Sequence, residues 1–171
     1  PDALSIFAHF IHRHGYPAIL YSDEDKVHET NFLQPSFKPD WDPVFFLNSC
    51  YIAHLNAFDR RLAKNLGVYT NPNAEGCHDW ETFIRFMLAG HRPVHVDEIV
   101  YSWRMHDASC ALNLDSKDFI TRSHAAVLSG FLSRLARPDH FELALSRLFK
   151  TPFDWWFRRL PVDPVPLLTL V

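Results

Sequence analysis

Tyr21-Ser22-Asp23-Glu24-Asp25 sets two aspartates two positions apart directly after the short apolar run 18–21. If that run is a buried strand, alternation turns Asp23 and Asp25 to the same side. Open α/β sheets bind ligands beyond the carboxyl ends of such strands. Hard cations such as magnesium and manganese take oxygen ligands, and one or two carboxylates often hold them while phosphate oxygens and water fill the rest of the shell. This DxD pattern therefore suits a divalent cation beside a phosphate, although an isolated acidic triplet at a strand end is more often a solvated turn. Two further segments carry chemistry-bearing side chains. Glu75-Gly76-Cys77-His78-Asp79-Trp80-Glu81 places Asp79 at the start of a helix, where a carboxylate also serves as a cap or dipole partner. Tyr101-Ser102-Trp103-Arg104-Met105-His106, leading to Ser109, brings an arginine and a histidine to one locality at an edge strand.

The elements that must position these groups follow from hydrophobic spacing. Leu4, Phe7, Ala8 and Ile11 recur at helical intervals over residues 3–14, and Gly15 supplies a stop. Residues 18–21 read as a buried strand that ends in the acidic cluster. Residues 26–40 are polar and proline-bearing and read as a surface loop. Asp42 then caps a short helix with Pro43 at its first position. A strand is expected over 50–58, a short helix over 59–66 closed by Gly67, and a loop over 69–77. Trp80, Phe83, Ile84, Met87 and Leu88 mark a helix ended by Gly90. Two short strands, 93–96 and 99–103, are expected on either side of Asp97 and Glu98. Helices are expected over about 117–135 and 140–149, and the tail from Thr151, with Trp155, Trp156 and four prolines, as an extended segment packed on a surface.

The bulk composition excludes several classes. A length of 171 residues with 47% hydrophobic content fits one domain with a real core. A net charge of -3 with both signs interspersed gives no basic stripe for a nucleic-acid backbone. The three cysteines, Cys50, Cys77 and Cys110, form no CxxC pair and no disulfide framework, which favours a reducing cytosol. No apolar run approaches the roughly 20 residues that span a bilayer, and no signal-peptide pattern opens the chain. Eleven histidines raise a zinc reading through Cys77-His78 and His106 with Cys110, but their spacings do not repeat as zinc ligands do.

Taken in order, Ile19-Leu20-Tyr21-Ser22-Asp23-Glu24-Asp25-Lys26, Phe37-Lys38-Pro39-Asp40-Trp41, Tyr51-Ile52-Ala53-His54-Leu55, Glu75-Gly76 with Asp79, and Tyr101-Ser102-Trp103-Arg104 with His106 and Ser109 resemble the bacterial family 2 glycosyltransferases. The resemblance runs from about Pro1 to Ala111. It implies a partial GT-A fold, that is, a Rossmann-like nucleotide-diphospho-sugar transferase with a mixed sheet flanked by helices and followed by C-terminal helices. The core would cover 1–113, and 114–171 would form a helical extension and tail packed on it. By the same resemblance Asp23 and Asp25 hold Mn2+ or Mg2+ against the diphosphate of a nucleotide-sugar, with Asp25 the closer ligand, and His106 completes the metal site. Asp79 is the implied catalytic base, Arg104 lies near the phosphates, and Trp80 and Glu81 lie near the acceptor. The implied reaction is inverting transfer from a nucleotide-sugar donor to a saccharide or lipid-linked acceptor in polysaccharide synthesis.

A complete member begins with strands that bind the nucleoside base and ribose, and none precedes Pro1. The isolated chain is therefore expected to have little transferase activity. A partner chain, a second copy or the tail is expected to cover the exposed sheet edge. A degenerate glycosyltransferase-like module acting as an interaction domain is the alternative from another class. The expected setting is cytoplasmic, with Trp155, Trp156 and Phe157 beside Arg158 and Arg159 offering peripheral contact at the inner membrane face; packing of these rings on the domain is the favoured alternative.

Overall fold

The computed structural model describes residues 2–105, 118–146 and 154–161. The chain is a mixed α/β structure in which a mixed sheet is flanked by helices. Helix α1 (Ala3–Arg13) leads through Gly15, at φ +68, into the long central strand β1 (Ile19–His28). Strands β2 (Asn31–Ser36) and β3 (Asn56–Phe58) pair with β1 antiparallel, and β4 (Val94–Arg104) pairs with it parallel. Between these strands lie α2 (Pro43–Asn48), α3 (Arg60–Asn65) and α4 (His78–Leu88). Helix α5 (Asp118–Leu132) follows, and β5 (Phe141–Leu145) and β6 (Trp155–Arg159) make a separate antiparallel pair.

Alternation along β1 divides the apolar residues between two faces. Leu20 joins Val96, Phe7 and Phe10 under α1, whereas Ile19 and Tyr21 join Phe46, Trp80, Phe83, Phe86 and Leu128 under the other helices. Burying one such aromatic ring stabilises the fold by about 1.5–3 kcal/mol. The larger cluster also takes Val127 and Phe131 from α5 and Trp155 from β6, so the C-terminal elements share the core of the sheet. Trp155 is thus packed inward rather than free for an interface. Among the described residues no helix is long and apolar enough to cross a membrane.

Several expectations are corrected. The acidic cluster lies inside β1, not at its end, because the strand finds partners beyond it on both edges, β4 as far as Val27 and β2 as far as His28. The region read as a loop contains β2, joined to β1 through the two-residue connection Glu29-Thr30 with Glu29 at φ +56, a hairpin without the usual glycine signal. Pro35 is tolerated there because β2 pairs on one side only. The strand expected over 50–58 shrinks to Asn56–Phe58. The two strands expected around Asp97 and Glu98 are one strand whose register slips there, from Ser22↔Val96 to Asp23↔Ile99. The helix expected over 140–149 is β5 in its described part; Phe141, Leu143 and Leu145 also fit a period of two, and β6 supplies the hydrogen bonds. The cap of α2 forms as expected, with the Asp42 carboxylate accepting from the Val44 and Phe45 N–H groups at 2.8 and 3.0 Å.

Candidate functional site

A cleft of about 550 Å³ opens between β1, the segment 36–54, the start of α4 and the end of β4. Glu24, Lys38, His54, Asp79, Trp80 and Trp103 line it. Its size falls within the ~300–1,000 Å³ typical of small-molecule sites.

Lys38 ties the cleft together. Its ammonium is buried and donates to the carbonyls of Ser22 at 2.7 Å, His54 at 2.6 Å and Ile52 at 3.4 Å, with Glu24 Oε2 at 3.8 Å. Burial lowers its pKa from the ordinary lysine value, against the opposing pull of Glu24 and Asp23. Glu24 Oε2 also accepts from the His54 backbone N–H at 2.5 Å and lies 3.2 Å from His54 Nδ1. All these contacts fall on Oε2, which leaves Oε1 with no hydrogen bond among the described residues. Burial alone would raise the Glu24 carboxyl; the two His54 donors and the Lys38 ammonium outweigh it and hold the pKa below its ordinary 4.5.

A stability prediction follows from that sign. A carboxyl whose folded pKa is depressed contributes in full above the ordinary value and loses its contribution as pH falls through the folded value. Glu24→Gln is therefore expected to lower the melting temperature at neutral pH and to flatten its decline between pH ~5 and ~3. Thermal unfolding of both proteins across that range checks this, and parallel curves for the two would count against it.

The expected site residues divide. Asp79 and Trp80 line the cleft; Asp79 sits in the first turn of α4, where its Oδ1 accepts from the Trp80 N–H at 2.8 Å. Trp80 is fully buried, and its indole N–H has no partner among the described residues. Asp23 is buried away from the cleft, with Oδ1 taking the Lys38 N–H at 2.8 Å and lying 2.7 Å from His95 Nε2. His95 reaches Asp40 through its other nitrogen at 3.5 Å and stacks on Tyr21 at 5.0 Å between centroids. Asp25 is half-buried, and its Oδ1 is buried without a partner among the described residues. Glu81 turns into α4, where Oε1 accepts from Arg85 Nε at 2.5 Å. Arg104 is exposed opposite Val27 at the end of β4. His106, Ser109 and Cys110 lie outside the described residues.

Three groups that sequence reasoning left unassigned, Glu24, Lys38 and His54, form the polar wall of the cleft. Strict alternation hid Glu24, since it puts the middle residue of the triplet on the side opposite the aspartates. The register slips against β4 at Ser22–Glu24 and against β2 at Glu24–Lys26 disturb that period. Lys38 and His54 were visible only as members of their short motifs, and His95 gave no signal beyond its place in a strand.

Among the described residues no three His, Cys, Asp or Glu side chains group to hold a metal. Cys77, one of the residues in the zinc reading, is buried, and burial, followed by Asp79 and Glu81, pushes its thiol up to about 12, so the sulfur stays protonated at neutral pH.

No family model matches the sequence. Over 175 aligned residues the chain is 27% identical to the uncharacterized protein y4gI of Sinorhizobium fredii (strain NBRC 101917 / NGR234). The alignment takes in 100% of this chain and 18% of that protein, so the chain spans less than a fifth of the length of this curated relative.

Proposed function

We propose that the chain forms the metal- and acceptor-binding part of a GT-A, family 2 glycosyltransferase that moves a sugar from a nucleotide-sugar to an acceptor hydroxyl with inversion. One observation carries the reading. The five segments that resemble the family lie far apart in sequence, yet each supplies a residue to the same cleft: Glu24, Lys38, His54, Asp79 and Trp103. Residues 1–113 would form the transferase core, and 114–171 the extension packed on it.

In this reading Asp79 accepts the proton of the acceptor hydroxyl as its oxygen forms a bond to the anomeric carbon. The bond from that carbon to the diphosphate oxygen breaks, and its electron pair leaves with the nucleoside diphosphate. The Trp80 N–H holds one Asp79 oxygen, which leaves the other for the hydroxyl. A bound divalent cation would neutralise the charge developing on the diphosphate. The orphaned, buried Oδ1 of Asp25 fits such an ion, since hard cations take carboxylate oxygens and share a sparse protein shell with phosphate. Asp23, already engaged by His95 and the Lys38 N–H, would brace the strand beside it.

The test is calorimetric titration of the full-length polypeptide with UDP, GDP and dTDP, each with and without Mn2+. Binding of at least one nucleotide is expected to require Mn2+ and to weaken by at least ~10–100-fold in Asp25→Asn, the loss that follows even when only an outer partner of a metal ligand is removed. Nucleotide binding indifferent to Mn2+, or unchanged in the variant, would overturn the assignment.

A further inference from the structure

The cleft carries a recognition chemistry of its own. Its described lining contains two carboxylates, Glu24 and Asp79, and no arginine. Its lysine, Lys38, turns its N–H donors to backbone carbonyls and not to the open space. A phosphate or carboxylate ligand would thus meet two negative groups with no lysine or arginine of the described lining turned toward it; the Lys26 ammonium, outside that lining, lies over the Trp103 ring at 6.0 Å from its centroid and donates to Gln34. Much of the remaining wall is aromatic, with Trp103, Trp80, Phe37 and the stacked pair Phe45 and Tyr51, centroids 4.7 Å apart, set among small and apolar residues and the imidazoles of His54 and His124. Aromatic faces accept apolar C–H surface, while a fixed carboxylate takes strong hydrogen bonds from hydroxyl groups. Glu24 is held for that task, because His54 and Lys38 fix Oε2 and leave Oε1 unbonded. His54 is itself set by ring contacts, stacked on Tyr101 at 5.1 Å and edge-on to Trp103 at 5.5 Å.

We infer that this cleft binds a neutral sugar ring, with Trp103 as its stacking face and Glu24 Oε1 as the acceptor for its hydroxyl groups, so that the anionic donor diphosphate lies outside it on the Asp25 side of β1. The inference deepens the transferase reading and rests on it for the identification of this sugar as the acceptor; the binding chemistry rests on the cleft alone.

Saturation-transfer NMR and titration of the full-length polypeptide in EDTA, with maltose, cellobiose and lactose as neutral probes and glucuronic acid and glucosamine as charged ones, tests it. At least one neutral disaccharide is expected to bind without metal, more tightly than either charged sugar. Trp103→Ala and Glu24→Gln are expected to weaken it about tenfold, the scale of one lost ring contact or one lost charged hydrogen bond, and Trp103→Phe, which keeps a ring, to retain most of the affinity. Circular dichroism establishes that each variant is folded. No neutral disaccharide binding, preference for glucuronic acid or glucosamine, or unchanged affinity in folded Trp103→Ala would overturn the inference. Sugar binding of the expected kind in a protein that binds no nucleoside diphosphate with Mn2+ would support it while removing the transferase reading.

Discussion

Asp79→Asn is expected to slow sugar transfer by ~10²–10⁴-fold, the range lost with a general base. The effect should fall on the rate of the chemical step, with Mn2+-dependent nucleoside diphosphate binding and the melting temperature close to those of the wild type. Asparagine has nearly the same shape and keeps an oxygen for the Trp80 N–H that now bonds Oδ1 at 2.8 Å, but it cannot take up a proton at neutral pH. Position is not expected to drift, because α4 is anchored by Trp80, Phe83 and Phe86, all fully buried. Initial rates of transfer by the full-length polypeptide, measured with Mn2+ and a panel of UDP-, GDP- and dTDP-sugars, check this. A variant as fast as the wild type would remove Asp79 from the role of base and with it the reaction proposed for the cleft.

The elements that place Asp79 were legible because local signals and tertiary packing agree. Asp42 with Pro43, Gly15, and the apolar spacing Trp80, Phe83, Ile84, Met87 each specify a helix boundary or face from nearby residues alone, and α1, α2 and α4 form accordingly. The strands were less legible where the partner decides. Residues 31–36 are exposed throughout and contain Pro35, so only pairing with β1 makes them a strand. Residues 141–145 satisfy a helical and an alternating pattern, and the distant β6 selects the second. The site shows the same division. Asp79 and Trp80 are fixed by the helix that carries them, and both reach the cleft. Glu24 depends on register slips that two neighbouring strands impose, and no spacing within 21–25 encodes those.

Lys38→Met is expected to cost about 3–5 kcal/mol of stability, the range seen when one member of a buried charged pair is removed. Two opposing effects set the sign. Burying an ammonium is itself unfavourable, as the lowered Lys38 pKa records, and an apolar replacement of similar length removes that term. The replacement also strands the Ser22 and His54 carbonyls, which now accept at 2.7 and 2.6 Å, and leaves the Glu24 carboxylate without the cation 3.8 Å away. Each buried acceptor left unpaired costs about 1–3 kcal/mol, so the two stranded carbonyls, together with a Glu24 carboxylate that keeps its His54 bonds but loses its cation, outweigh the relief of one ammonium. The loss should be local as well as global. Lys38 joins β1 to the turn ahead of β3, where the Ser22 N–H to Leu55 carbonyl bond at 3.1 Å, the Leu55 N–H to Ser22 Oγ bond at 3.3 Å and the His54 N–H to Glu24 bond at 2.5 Å also hold the turn. Urea unfolding gives the first quantity. Hydrogen exchange at the His54 and Leu55 amides gives the second, and faster exchange there than in α4 is expected. A folded variant within ~1 kcal/mol of the wild type would mean that water reaches the stranded carbonyls, and that the polar wall of the cleft is wetter than the buried Lys38 implies.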